Sequence, residues 1–538
     1  MGKELLFKAF ARETTERIPW VPFVGCHGAY LIAMEAGEYL RSSDHMIQGL
    51  SAAIDRYRPD GIPVIFDLQV EAEALGCELK WTDNGPPAVI SHPLLNGTSL
   101  DLLSIPSPDA GRIPEVIKTT VTLKKKYPDT ALYGLVTGPF TLGLHLQGTE
   151  IFVKMMEDPG SVHNLMHFTS KVCTAMAGYY IDAGCDIIAV VDPMTSQIDP
   201  LSFHTFVTGY VTRIFKYIRS KKALSSFFVC GHAQQNIEEM CKCKPDNISI
   251  DENIPLSYVK EYASKYKISF GGNLKLTLVL LLGTKEDAQK EALECMDIGG
   301  KEGFILSPGC DLPMDTPPEN LEAIRELIYD DYTQEVVRTM DLHKTDLDIL
   351  NMKDYGQTDK VIVDIITLDS ESCAPCQYMV EAVKKIAPHF EGIVEWREHP
   401  IKKMENISFM SSLMVKNIPT ICIDGKISFV SKIPPRHELI EAIQKRINEK
   451  LKLKIKSKKG EVLILGHSKE ECQEVERKVK IAINETGIDL GINSCTDEST
   501  LASYGIIQTP AIIVAEYKLK SQGEIPDVSI IKEWIKDI

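Results

Sequence analysis

The chain has 538 residues, more than a single hydrophobic core of roughly 250 to 300 residues serves, so two or three domains are expected. A composition of 44% hydrophobic, 25% charged and 7% aromatic residues excludes a disordered chain. With 59 basic against 75 acidic residues the net charge is -16, so no nucleic-acid partner and no anionic membrane surface is expected.

The opening MGKELLFKAF has no apolar targeting core, and the longest clear apolar run, Leu276 to Leu282, is too short to span a bilayer. A cytoplasmic location with no membrane span is expected. The 14 cysteines are scattered rather than regularly spaced, which suits a reduced chain. Cys77, Cys173, Cys185 and Cys295 sit among apolar neighbours and read as small core residues.

In chain order, short apolar runs alternate with amphipathic stretches of ten or more residues. Strands are predicted at 20–25 (WVPFVG), 61–67 (GIPVIFD), 131–138 (ALYGLVTG), 185–192 (CDIIAVVD), 225–231 (SSFFVCG), 247–251 (NISID), 268–273 (ISFGGN) and 303–310 (GFILSPGC). Eight repeated βα units predict an α/β fold with a closed (β/α)8 barrel of the triosephosphate isomerase type over residues 1–340. A polar linker is predicted at 341–358. A second α/β domain is predicted at 359–452, and a third at 459–538 after a basic stretch. The second and third share a strand, a helix opening near a cysteine, and a proline before a later strand: Pro419 in NIPTICIDG and Pro510 in QTPAIIVAE. They read as tandem copies of one small fold.

In a barrel, functional residues collect at the C-terminal ends of strands. Asp67, Asp192, Cys230 with His232, Asn273 and Cys310 stand at such ends. Two thiols and an imidazole converging on one mouth suit zinc, with a fourth position left for substrate; two unconnected cysteines are the other reading. His27 and Cys26 lie in the first loop, where either a substrate contact or a plain structural role is open. Cys241 and Cys243 have C-x-C spacing without a second pair and receive no role.

The ordered segments FDLQVEAEALGCELKW, NGPPAVI, TGPFTLGLHLQG, AGCDIIAVVDP, FFVCG and ILSPGCDLPMDTPPENLEAI resemble the uroporphyrinogen decarboxylase superfamily over residues 1 to 330. Within it, the chain is most similar to the methylcobamide:thiol methyltransferases, including those that methylate coenzyme M. That resemblance implies a zinc-dependent transfer from a methyl-corrinoid, on a separate corrinoid protein, to a thiol substrate. It places Cys230 and Cys310 as zinc ligands. It puts Phe228 where the branch has a histidine, so His232 is the replacement expected, with His27 or His145 as other choices. Asp67 matches the family's catalytic aspartate, and His145 takes the place of its active-site tyrosine; both are expected to orient substrate, with His27, Asp192 and Asn273 as further substrate contacts. The decarboxylases carry two arginines in the first loop, where Gly25 and Ala29 stand here, so decarboxylation is only a minor alternative.

In the second domain, Cys373-Ala-Pro-Cys376 follows a strand and opens a helix, whose N-terminus favours a nucleophilic thiolate. With Pro419 before a strand, the segment resembles thioredoxin and glutaredoxin-like proteins and their cis-proline. This implies a redox-active pair served by a redox protein partner. The third domain resembles small thioredoxin-like proteins but reads GHSKEEC, with Lys469 at the first cysteine position and only Cys472 left, so a structural or docking role is expected. The rival to a methyltransferase is a thiol-disulfide oxidoreductase whose barrel only binds.

Overall fold

Seven of the eight expected barrel strands form one sheet in sequence order: β1 (Gly61–Pro63), β2 (Ala131–Thr137), β3 (Ile187–Val191), β4 (Leu224–Val229), β5 (Asn247–Ile250), β6 (Ser269–Leu274) and β7 (Phe304–Pro308). Every neighbouring pair is parallel. The computed structural model describes residues 2–339, 350, 355, 360–371, 373–456, 461–488, 490–504, 506, 508–514, 518–522 and 525–536.

The strand expected at 20–25 does not form, because Pro19 and Pro22 bring no N–H to a ladder. The same segment nevertheless closes the sheet. Leu306 N donates to Pro19 O at 2.9 Å and Val21 N to Leu306 O at 3.0 Å, while Asp60 N donates to Trp20 O at 2.9 Å. Leu306 belongs to the last strand and Asp60 leads into the first, so residues 19–21 bridge the two edges of the barrel.

All seven residues of β2 and all five of β3 are buried, as parallel strands covered on both faces require. Helix α1 (Pro139–Gln147) follows β2, and α2 (Pro159–Ala183) follows it. The carboxylate of Asp158 caps α2 by accepting from Ser161 N, and Gly184 ends it in the left-handed region at φ 117°. Inside the barrel, the Phe228 ring lies 5.0 Å from that of Phe23 and 5.9 Å, edge-on, from that of Phe66. Tyr133, Ile187 and Ile305 join the same core. Full burial of each such side chain contributes on the order of 1.5–3 kcal/mol.

The described residues divide into two compact units. The first is Met1–Leu347 with Leu368–Tyr378 and Ile401–Ile407; the second is Asp348–Thr367, Met379–Pro400 and Ser408–Ile538. The second holds two four-stranded sheets. One runs β9-β8-β10-β11, from β8 (Val361–Thr367), β9 (Val394–Pro400), β10 (Thr420–Ile423) and β11 (Lys426–Val430). The other runs β13-β12-β14-β15, from β12 (Glu461–Leu465), β13 (Gly491–Cys495), β14 (Ala511–Val514) and β15 (Lys518–Gln522). Each has one parallel pair followed by two antiparallel ones, so the two copies share a topology. The peptide bonds before Pro419 and Pro510 are both cis. Apart from Leu350 and Tyr355, the linker expected at 341–358 lies outside the described residues.

Candidate active site

Cys230 follows β4 and Cys310 follows β7, which brings their sulfurs to 2.7 Å across 80 residues of chain. Both are free thiols. The hydrogen bond to Cys310, reinforced by burial, holds the Cys230 thiol well above its usual range. At Cys310 that bond acts the other way, but burial still leaves the thiol raised.

His232 is half-buried in the bend after Cys230. Among the described residues, no three His, Cys, Asp or Glu side chains gather as a metal site. Two thiolates on one tetrahedral zinc, each at about 2.3 Å, would stand roughly 3.8 Å apart. The sulfur pair therefore fits zinc in donor type, while the third ligand expected of His232 is not brought to it. Phe228 gives the reason for the missing ligand. Two residues before Cys230, its ring is locked into the barrel's aromatic core and is 1% exposed.

Acidic groups surround this mouth. Asp251, just past β5, accepts from the amide of Gly231 and from Asn253, and burial raises it to about 6. Glu252 is raised to about 8 by burial and by Asp251; its Oε1 accepts from Leu276 N, and its Oε2 has no partner among the described residues. Asp311, beside Cys310, is pushed well above the carboxylate range by burial. Cys26 is 1% exposed, and burial above all holds its thiol well above the usual range.

Asp67 follows β1 and is paired. Its Oδ2 accepts from Arg112 Nη1 at 2.6 Å, and its Oδ1 accepts from Gln69 N. Arg112 also donates through Nε to Glu73 at 2.6 Å and lies over the Trp81 ring, 4.7 Å from its centroid. Its Nη2 is a buried donor with no partner among the described residues.

The other expected contacts are held by neighbours. His145, on α1, is fully buried; burial lowers it to about 3, so its ring is neutral. Its Nδ1 lies 3.1 Å from Tyr378 Oη, and its Nε2 has no partner among the described residues. His27 spans Met314 O and Tyr57 Oη at 2.9 and 2.7 Å, and burial lowers it to about 4. Asp192 caps α1 by accepting from the amides of Phe140 and Thr141 and from Thr141 Oγ1. Asn273 donates to Asp251 O and Ile254 O.

Cys373 is half-buried and Cys376 fully buried at the start of α3 (Ala374–Ile386). Burial, and then the bond with Cys373, pushes the Cys376 thiol well up, which suits the resolving member of a C-x-x-C pair. Pro419 lies just before β10, and its carbonyl accepts from Ser431 N at 2.7 Å. In the last domain, Cys472 packs in the apolar core with its sulfur 4.0 Å from Cys495 O, and both cysteines are free.

Residues 1–330 match the family pattern described as uroporphyrinogen decarboxylase (URO-D). The chain belongs to the uroporphyrinogen decarboxylase family. Residues 460–536 match a thioredoxin domain. Methylcobamide:CoM methyltransferase MtbA of Methanosarcina acetivorans is 26% identical over 340 residues, covering 60% of this chain and 96% of that protein. A uroporphyrinogen decarboxylase of Anaeromyxobacter sp. is 26% identical over 307 residues, covering 54% of this chain and 86% of that protein. A solved methyltransferase from Methanosarcina mazei shares the fold, with a TM-score of 0.56 and 23% identity over 61% of this chain and 99% of that one.

For this member of the uroporphyrinogen decarboxylase family, the first loop matters most. A Cβ on Gly25 would come 2.3 Å from Asp311 Oδ1, so the carboxyl of Asp311 occupies the space a side chain would need. Asp251, Glu252 and Asp311 were not singled out from sequence, although Asp251 directly follows β5 with Glu252 next to it, and Asp311 lies shortly past the end of β7 as Asp67 lies shortly past that of β1. Arg112 carried no such signal, since it precedes a helix 45 residues after its partner.

Proposed function

We propose that the barrel transfers a methyl group from a methyl-corrinoid, carried by a partner corrinoid protein, to a thiol such as coenzyme M. The convergence of Cys230 and Cys310 at the barrel mouth carries this reading, in a chain that spans 96% of a curated methylcobamide:CoM methyltransferase. In the reaction the acceptor loses its S–H proton, its sulfur bonds the methyl carbon, and the electron pair of the carbon–cobalt bond stays with the donor. Zinc on Cys230 and Cys310 would supply the Lewis acidity that keeps the acceptor sulfur deprotonated at neutral pH.

The remaining roles fall to the chain itself. Asp67, fixed by Arg112, and neutral His145 orient the acceptor, and Arg112 Nη2, which has no partner among the described residues, suits an anionic group on it. His27, Asp192 and Asn273 hold the mouth in shape through the bonds described. Cys373 and Cys376 form a dithiol–disulfide module that exchanges electrons with a redox protein partner.

A second reading, a disulfide oxidoreductase with a non-catalytic barrel, is favoured by Phe228 standing in place of a ligand. The two separate when zinc-supplemented full chain is given methylcobalamin and a panel of thiols. Methylated thiol detected by mass spectrometry supports the transferase. Reduction of a small aromatic disulfide with no methylated product from any thiol supports the second reading. Decarboxylation is the weakest reading, because the Gly25 position has no room for an arginine.

A further inference from the structure

The C-x-x-C loop belongs to the same compact unit as the barrel mouth, since Leu368–Tyr378 clusters with Met1–Leu347. Three contacts within that unit fix it. Gln377 Nε2 donates to Val89 O at 2.5 Å, Lys80 pairs with Glu371 at 3.0 Å, and Tyr378 Oη meets His145 Nδ1 at 3.1 Å. The Tyr378 ring is fully buried and stacks on that of His92. Held there through Tyr378, the loop packs on α1, which leaves the C-terminal end of β2, the same end of the barrel at which Cys230 and Cys310 follow their strands.

The mouth itself holds an oxidisable pair. Cys230 and Cys310 are free thiols whose sulfurs lie 2.7 Å apart, within about 0.7 Å of a bonded S–S separation. Four cysteines of one unit therefore form two dithiols, one in the barrel mouth and one in the loop beside it.

We propose that the Cys373–Cys376 dithiol acts on the chain's own Cys230–Cys310 pair, reducing the disulfide that forms there when a peroxide strips two electrons from those thiols. In the oxidation the peroxide O–O bond breaks, an S–S bond forms, and the two thiol protons leave with the oxygens. In the repair, Cys373 as thiolate attacks the Cys230 sulfur; the Cys230–Cys310 bond breaks, and Cys310 leaves with the electron pair and takes up a proton. Cys376 then gives up its proton and attacks Cys373, freeing Cys230. Two electrons and two protons have moved, and the loop is left as the Cys373–Cys376 disulfide. An external dithiol returns it to the reduced form. The inference rests on the reading of the C-x-x-C as a redox pair and names its substrate.

The test uses chelator-treated full chain, oxidised with hydrogen peroxide and then given a low concentration of dithiothreitol. Free Cys230 and Cys310 are followed by differential alkylation and peptide mass spectrometry. The parent is expected to recover them at least roughly tenfold faster than Cys373→Ser, the gain of an intramolecular reductant. Cys376→Ser, unable to resolve, is expected to accumulate a peptide linking Cys373 to Cys230. Reduction of a small aromatic disulfide is measured on the same proteins. If parent outpaces Cys373→Ser on the aromatic disulfide while Cys230 and Cys310 recover at equal rates, the inference is overturned and the redox reading stands. If the parent shows no advantage on the aromatic disulfide either, the redox reading falls with it. Failure of peroxide to link Cys230 to Cys310 also overturns the inference.

Discussion

Asp67 and Arg112 form an ion pair at 2.6 Å with side chains 0% and 7% exposed, joining the end of the first barrel strand to the segment that leads into the helix Ile113–Lys126. The pair turns the carboxylate that resembles a catalytic aspartate into a fixed, charge-paired wall of the mouth, with Arg112 Nη2 buried and without a partner among the described residues.

Arg112→Ala would leave Asp67 buried and uncompensated. Stability should fall by about 3–5 kcal/mol, read as a lower urea midpoint at pH 7. A shift of less than about 1 kcal/mol would mean that the carboxylate is solvated. Arg112→Lys should retain part of that stability but lose affinity for an anionic acceptor, seen as a raised KM.

Phe228→His restores the residue type that the resemblance expects two positions before Cys230. It removes apolar contacts with Phe23 and Phe66, so a loss of about 1–3 kcal/mol is expected. Zinc retained against a competing chelator should increase. Retention equal to that of the parent would show that position 228 does not face the sulfur pair.

Gly25→Ala places a methyl group against the Asp311 carboxyl. Overpacking should cost about 1–3 kcal/mol and lower thiol methylation through displacement of Asp311 beside Cys310. Unchanged unfolding and unchanged kcat/KM would contradict the contact.

Glu71 gives a pH signature. Its carboxyl is 1% exposed and burial raises it from 4.5 to about 7. Thr137 N lies 3.0 Å from Oε1, and Thr137 Oγ1 lies 2.8 Å from both Oε2 and Leu68 O, an arrangement satisfied when Glu71 is protonated and donates to Oγ1. The folded chain thus binds this proton more tightly than the unfolded chain. The stabilisation is full below about pH 4.5 and is lost as pH rises through about 7. Glu71→Gln mimics the neutral form. Its stability relative to the parent should grow across that window by on the order of 3 kcal/mol, measured as urea midpoints at several pH values. A difference that stays flat with pH would contradict a protonated Glu71.

The barrel was legible because its strands are buried on both faces and therefore read as continuous apolar runs, as β2 and β3 do. Residues 20–25 have the same apolar character, but Pro19 and Pro22 leave them an extended bridge with scattered backbone bonds in place of a continuous ladder. Cys230 and Cys310 were legible as residues at strand ends; their contact followed from barrel closure rather than from spacing. His232 as a ligand depended on side-chain direction, which sequence does not carry, and among the described residues no three-ligand cluster forms. Arg112 was invisible because an arginine ahead of an amphipathic helix is ordinarily a solvated residue.

The most direct test of methyl transfer at the sulfur pair compares zinc-supplemented parent, Cys230→Ser and Cys310→Ser, each given methylcobalamin and coenzyme M under anaerobic conditions, with methylated product counted over time. The parent should form product, and both variants should lose the rate by at least roughly 100-fold while keeping the parent's unfolding midpoint. Product formed equally by all three proteins would place the chemistry elsewhere and contradict a thiol-activating site at Cys230 and Cys310.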